Sequence, residues 1–106
     1  MINCLYAPNE DFINEYSKRF FEELFNDSDY HKIEHNLYSG DFNVVLNHKM
    51  DTLGYLHINN PYTQQYINSQ IAKNELLDIW RERNKGTKAF TFNKHQTKNR
   101  TKARLD

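Results

Sequence analysis

The residues best suited by type and spacing to do chemistry are Asp41 and Asn43. They stand in Gly40-Asp41-Phe42-Asn43, after a stretch that reads as a strand, and alternate strand residues point to one side. A carboxylate and an amide side by side at a strand end can hold a divalent cation, a water and a phosphate oxygen. The same four residues also suit an Asx turn, in which the carboxylate caps a nearby backbone N–H. Tyr6-Ala7-Pro8-Asn9 presents a similar choice: Tyr6 can hydrogen-bond a ligand, while Asn9 has the position of a helix N-cap.

Other chemistries find less support. His31 and His35 have i, i+4 spacing, but no cysteine or clear helix backs a zinc site, and His48, His57 and His95 are scattered. The chain has no Gly-rich phosphate loop, nucleophile elbow or Cys–His pair. Cys4 is the single cysteine, so no internal disulfide can form. No apolar run approaches the 18 or so residues of a membrane span. The sequence therefore predicts neither a secreted, disulfide-stapled mini-protein nor a membrane anchor.

The 106 residues carry a net charge of zero, but the charges are segregated. Residues 1–53 hold ten acidic and four basic groups, and residues 54–106 hold four acidic and ten basic. Residues 83–105 contain eight cations and no acid, among them Lys98, Arg100, Lys102 and Arg104. Such a run marks a solvated face, a tail, or a strip that meets a polyanion such as nucleic acid.

The elements that must position these groups follow from periodicity. Residues 2–6 read as a short buried strand ended by Pro8. Asn9, Glu10 and Asp11 open a helix whose Phe12, Tyr16, Phe20 and Leu24 recur every four residues, widened by Ile13, Phe21 and Phe25. The helix closes near Asn26. A second strand, with Ile33, Leu37 and Tyr38, enters Ser39-Gly40. Val44-Val45-Leu46 is a strand end or helical turn, and residues 47–60 read as loop. Asn60-Pro61 begins a second helix with Tyr62, Tyr66, Ile67 and Ile71 inward, running to about Asn74. Leu76-Leu77-Asp78-Ile79-Trp80 is an apolar cluster, helical or looped, with Trp80 as a packing residue. Ala89-Phe90-Thr91-Phe92 alternates like a strand, and Arg104-Leu105-Asp106 reads as the start of another. The pattern is mixed α/β.

Five of these segments form an ordered series: Leu5-Tyr6-Ala7-Pro8-Asn9; Ser39-Gly40-Asp41-Phe42-Asn43-Val44-Val45-Leu46; Leu77-Asp78-Ile79-Trp80-Arg81; Phe90-Thr91-Phe92; Arg104-Leu105-Asp106. The series resembles the endonuclease/exonuclease/phosphatase superfamily, in particular the apurinic-type endonuclease domain of LINE-type retrotransposons, which precedes a reverse transcriptase. The resemblance implies a four-layer, DNase I-like sandwich and Mg²⁺-dependent cleavage of phosphodiester bonds, with DNA as partner and the nucleus as site of action. It implies that Asp41 orients or deprotonates the attacking water and that Asn43 contacts the phosphate. Tyr6 and Asn9 would line the phosphate pocket, Asp106 would orient a catalytic histidine, and Thr91 would lie on the DNA-facing surface. Ser39 replaces a glycine common in the family.

Two parts of that pattern have no counterpart here. The family's metal-binding glutamate lies upstream of the strand holding Tyr6, and its histidine follows in a downstream Ser-Asp-His. Residues 1–106 are therefore expected to form one partial domain lacking its N- and C-terminal portions, inactive or nearly so alone. The alternatives are a small nucleic-acid-binding protein using residues 83–105, with Phe90 and Phe92 as stacking rings, and a non-functional relic.

Overall fold

The computed structural model describes residues 2–8, 15–26, 36–55, 61–94 and 101–105. The chain is a small mixed α/β unit. Its elements are β1 (Ile2–Tyr6), α1 (Glu15–Asn26), β2 (Leu37–Asp41), α2 (His48–Asp51), β3 (Thr52–Leu53), α3 (Pro61–Lys73), α4 (Ile79–Arg83), β4 (Phe92–Lys94) and β5 (Thr101–Ala103). They build two sheets, a parallel pair β1–β2 and an antiparallel three-stranded sheet in the order β3–β5–β4.

Parallel strands need a long crossover, and α1 lies in the one between β1 and β2. Tyr6 pairs with Asp41 at the end of the ladder. Gly40 makes this pairing possible: its φ is +135°, and a Cβ there would run into the backbone of Leu5. The expectation of a buried first strand needs correction. Side chains of β1 alternate between exposed and half-buried, leaving Ile2 71% and Tyr6 77% exposed. With only two strands in the sheet, no described element covers that face.

The core lies between α1, α3 and the inner side of β2. Phe21, Phe25, Val44, Ile67 and Ala7 are buried, with Leu5, Tyr38, Phe42 and Leu76 packed around them. Phe21 stacks on Phe42 with ring centroids 5.9 Å apart, and Phe25 meets Tyr38 at 5.3 Å. The expected faces pack on the core through Phe20, Phe21, Leu24 and Phe25 of α1 and Tyr66, Ile67 and Ile71 of α3, but one expected tyrosine of each helix lies outside it. On α1 the innermost line is Ser17, Phe21, Phe25, whereas Tyr16 is 65% exposed. On α3 Thr63 and Ile67 are buried and Tyr62 is exposed. In each case a tyrosine keeps its hydroxyl toward water, and the small hydroxyl residue beside it takes the inner place. Phe12 and Ile13, together with the expected Asn9 cap, lie outside the described residues.

Helix α3 ends at Lys73, one residue before the expected Asn74. Leu76 N donates to Ile71 O at 2.9 Å and Glu75 N to Ala72 O at 3.4 Å, with Glu75 at φ +53°. This is a Schellman arrangement in which glutamate takes the left-handed position that glycine usually fills. It turns the chain so that Leu76 packs beside Ile71 and Asp78 arrives at the start of α4.

Residues 47–60 were expected to be loop, and their first half is not. Asn47 caps α2, its Oδ1 accepting from Met50 N at 3.2 Å, and the chain passes directly into β3. The last two strands are also displaced from the sequence reading. The antiparallel register pairs Phe92 with Ala103 and Lys94 with Thr101, so β4 starts where the expected strand ended. Ala103 and Arg104 are buried consecutively, which breaks strand alternation and explains why β5 stops before Arg104.

Candidate functional site

The G-D-x-N segment folds as an Asx turn at the end of β2. Asp41 Oδ1 accepts from Asn43 N at 2.9 Å, and Asn43 sits at φ +50°, a conformation asparagine tolerates. The Asn43 side chain then reaches across the sheet, its Nδ2 donating to Ala7 O at 2.7 Å. Ala7 N in turn donates to Asp41 O at 2.8 Å. The turn is thus fastened to the segment holding Tyr6. The second carboxylate oxygen of Asp41 accepts no hydrogen bond from a described residue.

The C-terminal motif meets this corner through the backbone. Phe42 N donates to Leu105 O at 2.9 Å, and Leu105 N donates to Thr91 Oγ1 at 3.1 Å. Thr91 N donates to Ala103 O at 3.0 Å. Four of the five motif segments, those holding Tyr6, Asp41 with Asn43, Thr91, and Leu105, therefore share one hydrogen-bonded corner. Asp106 and Asn9 themselves lie outside the described residues, as do Lys98 and Arg100. Lys102 is half-buried on β5, between Leu53 and Asn93 in register.

Arg104 does not occupy the surface position expected of a nucleic-acid contact. It is 8% exposed, and its guanidinium is committed to two aspartates. Nε donates to Asp51 Oδ1 at 2.9 Å and Nη2 to Asp51 Oδ2 at 3.3 Å. Nη2 also donates to Asp78 Oδ2 at 2.5 Å, and Nη1 reaches Asp78 Oδ1 at 3.4 Å. Arg81 completes the set, with Nη2 at 2.5 Å from Asp51 Oδ1 and Nη1 bonded to Asn84 O and Thr87 O. Both guanidinium carbons lie 5.0 Å from the Trp80 ring centroid. Trp80 is a packing residue, as expected, and its specific partners are cations.

Two carboxylates and two guanidiniums make the cluster neutral, which allows Asp51 to be 1% exposed. Burial by itself pushes the Asp51 carboxyl up, but hydrogen bonds and charge from Arg104 and Arg81 outweigh it and leave the pKa below the usual aspartate value. Burial likewise acts to lower the Arg104 pKa, and Asp51 and Asp78 reverse it to a net rise.

Sequence reasoning missed Asp51 altogether, because it sat in a presumed loop. Asp78 carried a readable sign: an aspartate directly before an apolar helical turn is an N-cap, and its Oδ1 accepts from Arg81 N at 3.1 Å. A cleft of about 790 Å³ adjoins the cluster, lined by Gly40, Phe42, Ile71, Trp80, Arg104 and Leu105 among others. Asp41 and Asn43 are not in its walls, but Gly40, Phe42 and Leu105 are, so the cleft borders the polar corner without containing its two polar side chains.

Among the described residues, no helix is long and apolar enough to cross a membrane, and no group of three or more His, Cys, Asp or Glu side chains is gathered to hold a metal. No protein-family model matches the chain, and no curated protein matches it.

Proposed function

We propose that this chain belongs to a Mg²⁺-dependent phosphodiesterase of the endonuclease/exonuclease/phosphatase kind, with a DNase I-like fold and DNA as its polyanionic partner. The observation that supports this most is the 2.9 Å bond from Phe42 N to Leu105 O. It joins residues 63 positions apart, from two motifs of the resemblance, at one strand end beside Tyr6 and Thr91. In-line displacement at phosphorus needs a positioned water, a base and charge stabilisation gathered at one point.

Asp41 has one carboxylate oxygen that no described residue occupies, and Mg²⁺ is commonly held by one or two carboxylates plus water and phosphate oxygens. The corner therefore fits as part of such a site, with Asp41 as the ligand or water-positioning group. When bound, the metal would neutralise phosphoryl charge and acidify a water. Asn43, anchored on Ala7 O, would hold its amide against the phosphate, and the exposed phenol of Tyr6 would hydrogen-bond it. The sequence holds no match for the family's metal-binding glutamate or its catalytic histidine, so the chain alone is expected to cleave DNA little or not at all.

The test is an NMR titration of the 106-residue protein with Mg²⁺ and a short DNA duplex, paired with supercoiled-plasmid nicking. The expected result is perturbation of the Tyr6, Asp41 and Asn43 amides, abolished by Asp41→Asn, with nicking at background. Mg²⁺-dependent nicking removed by Asp41→Ala would overturn the inactivity. Salt-dependent DNA binding that survives Asp41→Asn but falls when Lys98, Arg100 and Lys102 are neutralised would favour a plain nucleic-acid-binding protein instead. Lys85 and Lys88, both exposed, give that second reading its footing, and Arg104 no longer belongs to it.

A further inference from the structure

The buried charge cluster and the polar corner meet at Leu105, which follows Arg104 and bonds to Phe42 and Thr91. Its neighbour Arg104 is held at both ends. The backbone N–H donates to Asp51 O at 2.8 Å, and the guanidinium forks onto Asp51 and Asp78. Those two aspartates come from different elements: Asp51 ends α2 and Asp78 caps α4. Asp51 is itself tied down, its Oδ2 accepting from Asn47 N at 3.3 Å and its amide donating to Asn47 O at 2.8 Å. A planar guanidinium shared between two carboxylates fixes orientation as well as distance, which an ammonium cannot do.

With Arg104 fixed, the next peptide has little freedom. Its carbonyl takes the Phe42 N–H and its amide takes Thr91 Oγ1. Phe42 lies between Asp41 and Asn43, so the placement of Leu105 is also the placement of the turn carrying both side chains. We infer that Arg104 is a positioning residue for the Asp41–Asn43 corner, acting through Leu105 and powered by the Asp51–Asp78 clamp. The inference deepens the nuclease reading and rests on it for the meaning of the corner, though not for the mechanical link.

The discriminating variant is Arg104→Lys, which keeps the positive charge and removes the fork. Residue-resolved amide hydrogen exchange separates a local from a global effect. Losing charge-assisted bonds at Arg104 is expected to speed exchange at Phe42 by about tenfold or more. Ala7, whose amide bonds to Asp41 O without passing through Leu105, should change by less than about twofold. Equal acceleration at Phe42 and Ala7 would make Arg104 an ordinary stability residue and overturn the inference. No acceleration at either would do the same.

Should Arg104→Lys fail to fold, Asp78→Asn weakens the half-buried side of the clamp and is read identically. The Mg²⁺ titration of the wild-type protein keeps the two claims apart. If Mg²⁺ leaves the Asp41 and Asn43 amides unmoved, the metal-site reading fails. The coupling of Arg104 to Phe42 is then decided by the exchange data alone.

Discussion

The two sheets of this molecule hold their charged residues in opposite ways. On the β1–β2 pair, Asp41 is half-buried and engaged by one backbone N–H, next to a tyrosine that is 77% exposed. On the β3–β5–β4 side, Asp51 is 1% exposed and surrounded by two arginines and a backbone amide. The first carboxylate has an oxygen to offer, and the second has none. That difference separates a group suited to chemistry from one that serves the fold, although both are aspartates near strand ends. Acidity alone would not distinguish them.

The largest expected effect tests the buried side. Asp51→Ala removes the main acceptor of two arginines, one 8% exposed, and should destabilise by about 3–5 kcal/mol, read from urea unfolding. The same residue gives a pH prediction. Its pKa is lower in the folded protein than the ordinary 3.8, so the stability it contributes is complete above that value. It is lost as pH falls through the folded-state pKa. The wild-type acid limb should therefore be steeper than that of Asp51→Asn; equal limbs would mean that the cluster is not the acid-sensitive part of the fold.

A smaller loss is expected on the open side. Gly40→Ala places a Cβ against the Leu5 backbone at φ +135°, a strained conformation costing on the order of 2 kcal/mol. Because β1 carries an exposed face, the damage should show as faster amide exchange in residues 2–6, with Asp51 and Arg104 little changed. Spread of the effect to the second sheet would show that the two regions are one cooperative unit.

What could be read from the sequence follows the range of the interactions. The close of α1 near Asn26, the start of α3 at Pro61 and the strand leading to Asp41 are set by local pattern and capping, and they appear where expected. The exact faces of the helices are not local. Tyr16 and Phe21 are equally apolar to a periodicity argument, and only the packing of Phe21 on Phe42 decides between them. The corner was legible because Gly40, Asp41 and Asn43 are adjacent. The cluster was not, because Asp51 and Arg104 are 53 residues apart and their hydrogen bonds leave no spacing pattern. A cation in a basic run reads as surface until a buried carboxylate is found beneath it.

The smallest expected effect bears most directly on function. Asp41→Asn leaves an oxygen at the position that accepts the Asn43 N–H, so the Asx turn can persist. Nothing else among the described residues bonds to the carboxylate, and no buried cation depends on it. Its unfolding free energy should therefore stay within about 0.5 kcal/mol of wild type, while Mg²⁺-induced shifts at the corner disappear. A loss of about 2 kcal/mol or more would place Asp41 with Asp51 as a fold residue, and the turn alone would then be reason enough for its presence. Stability retained with metal response lost is the pairing that a residue kept for chemistry would show and a residue kept for folding would not.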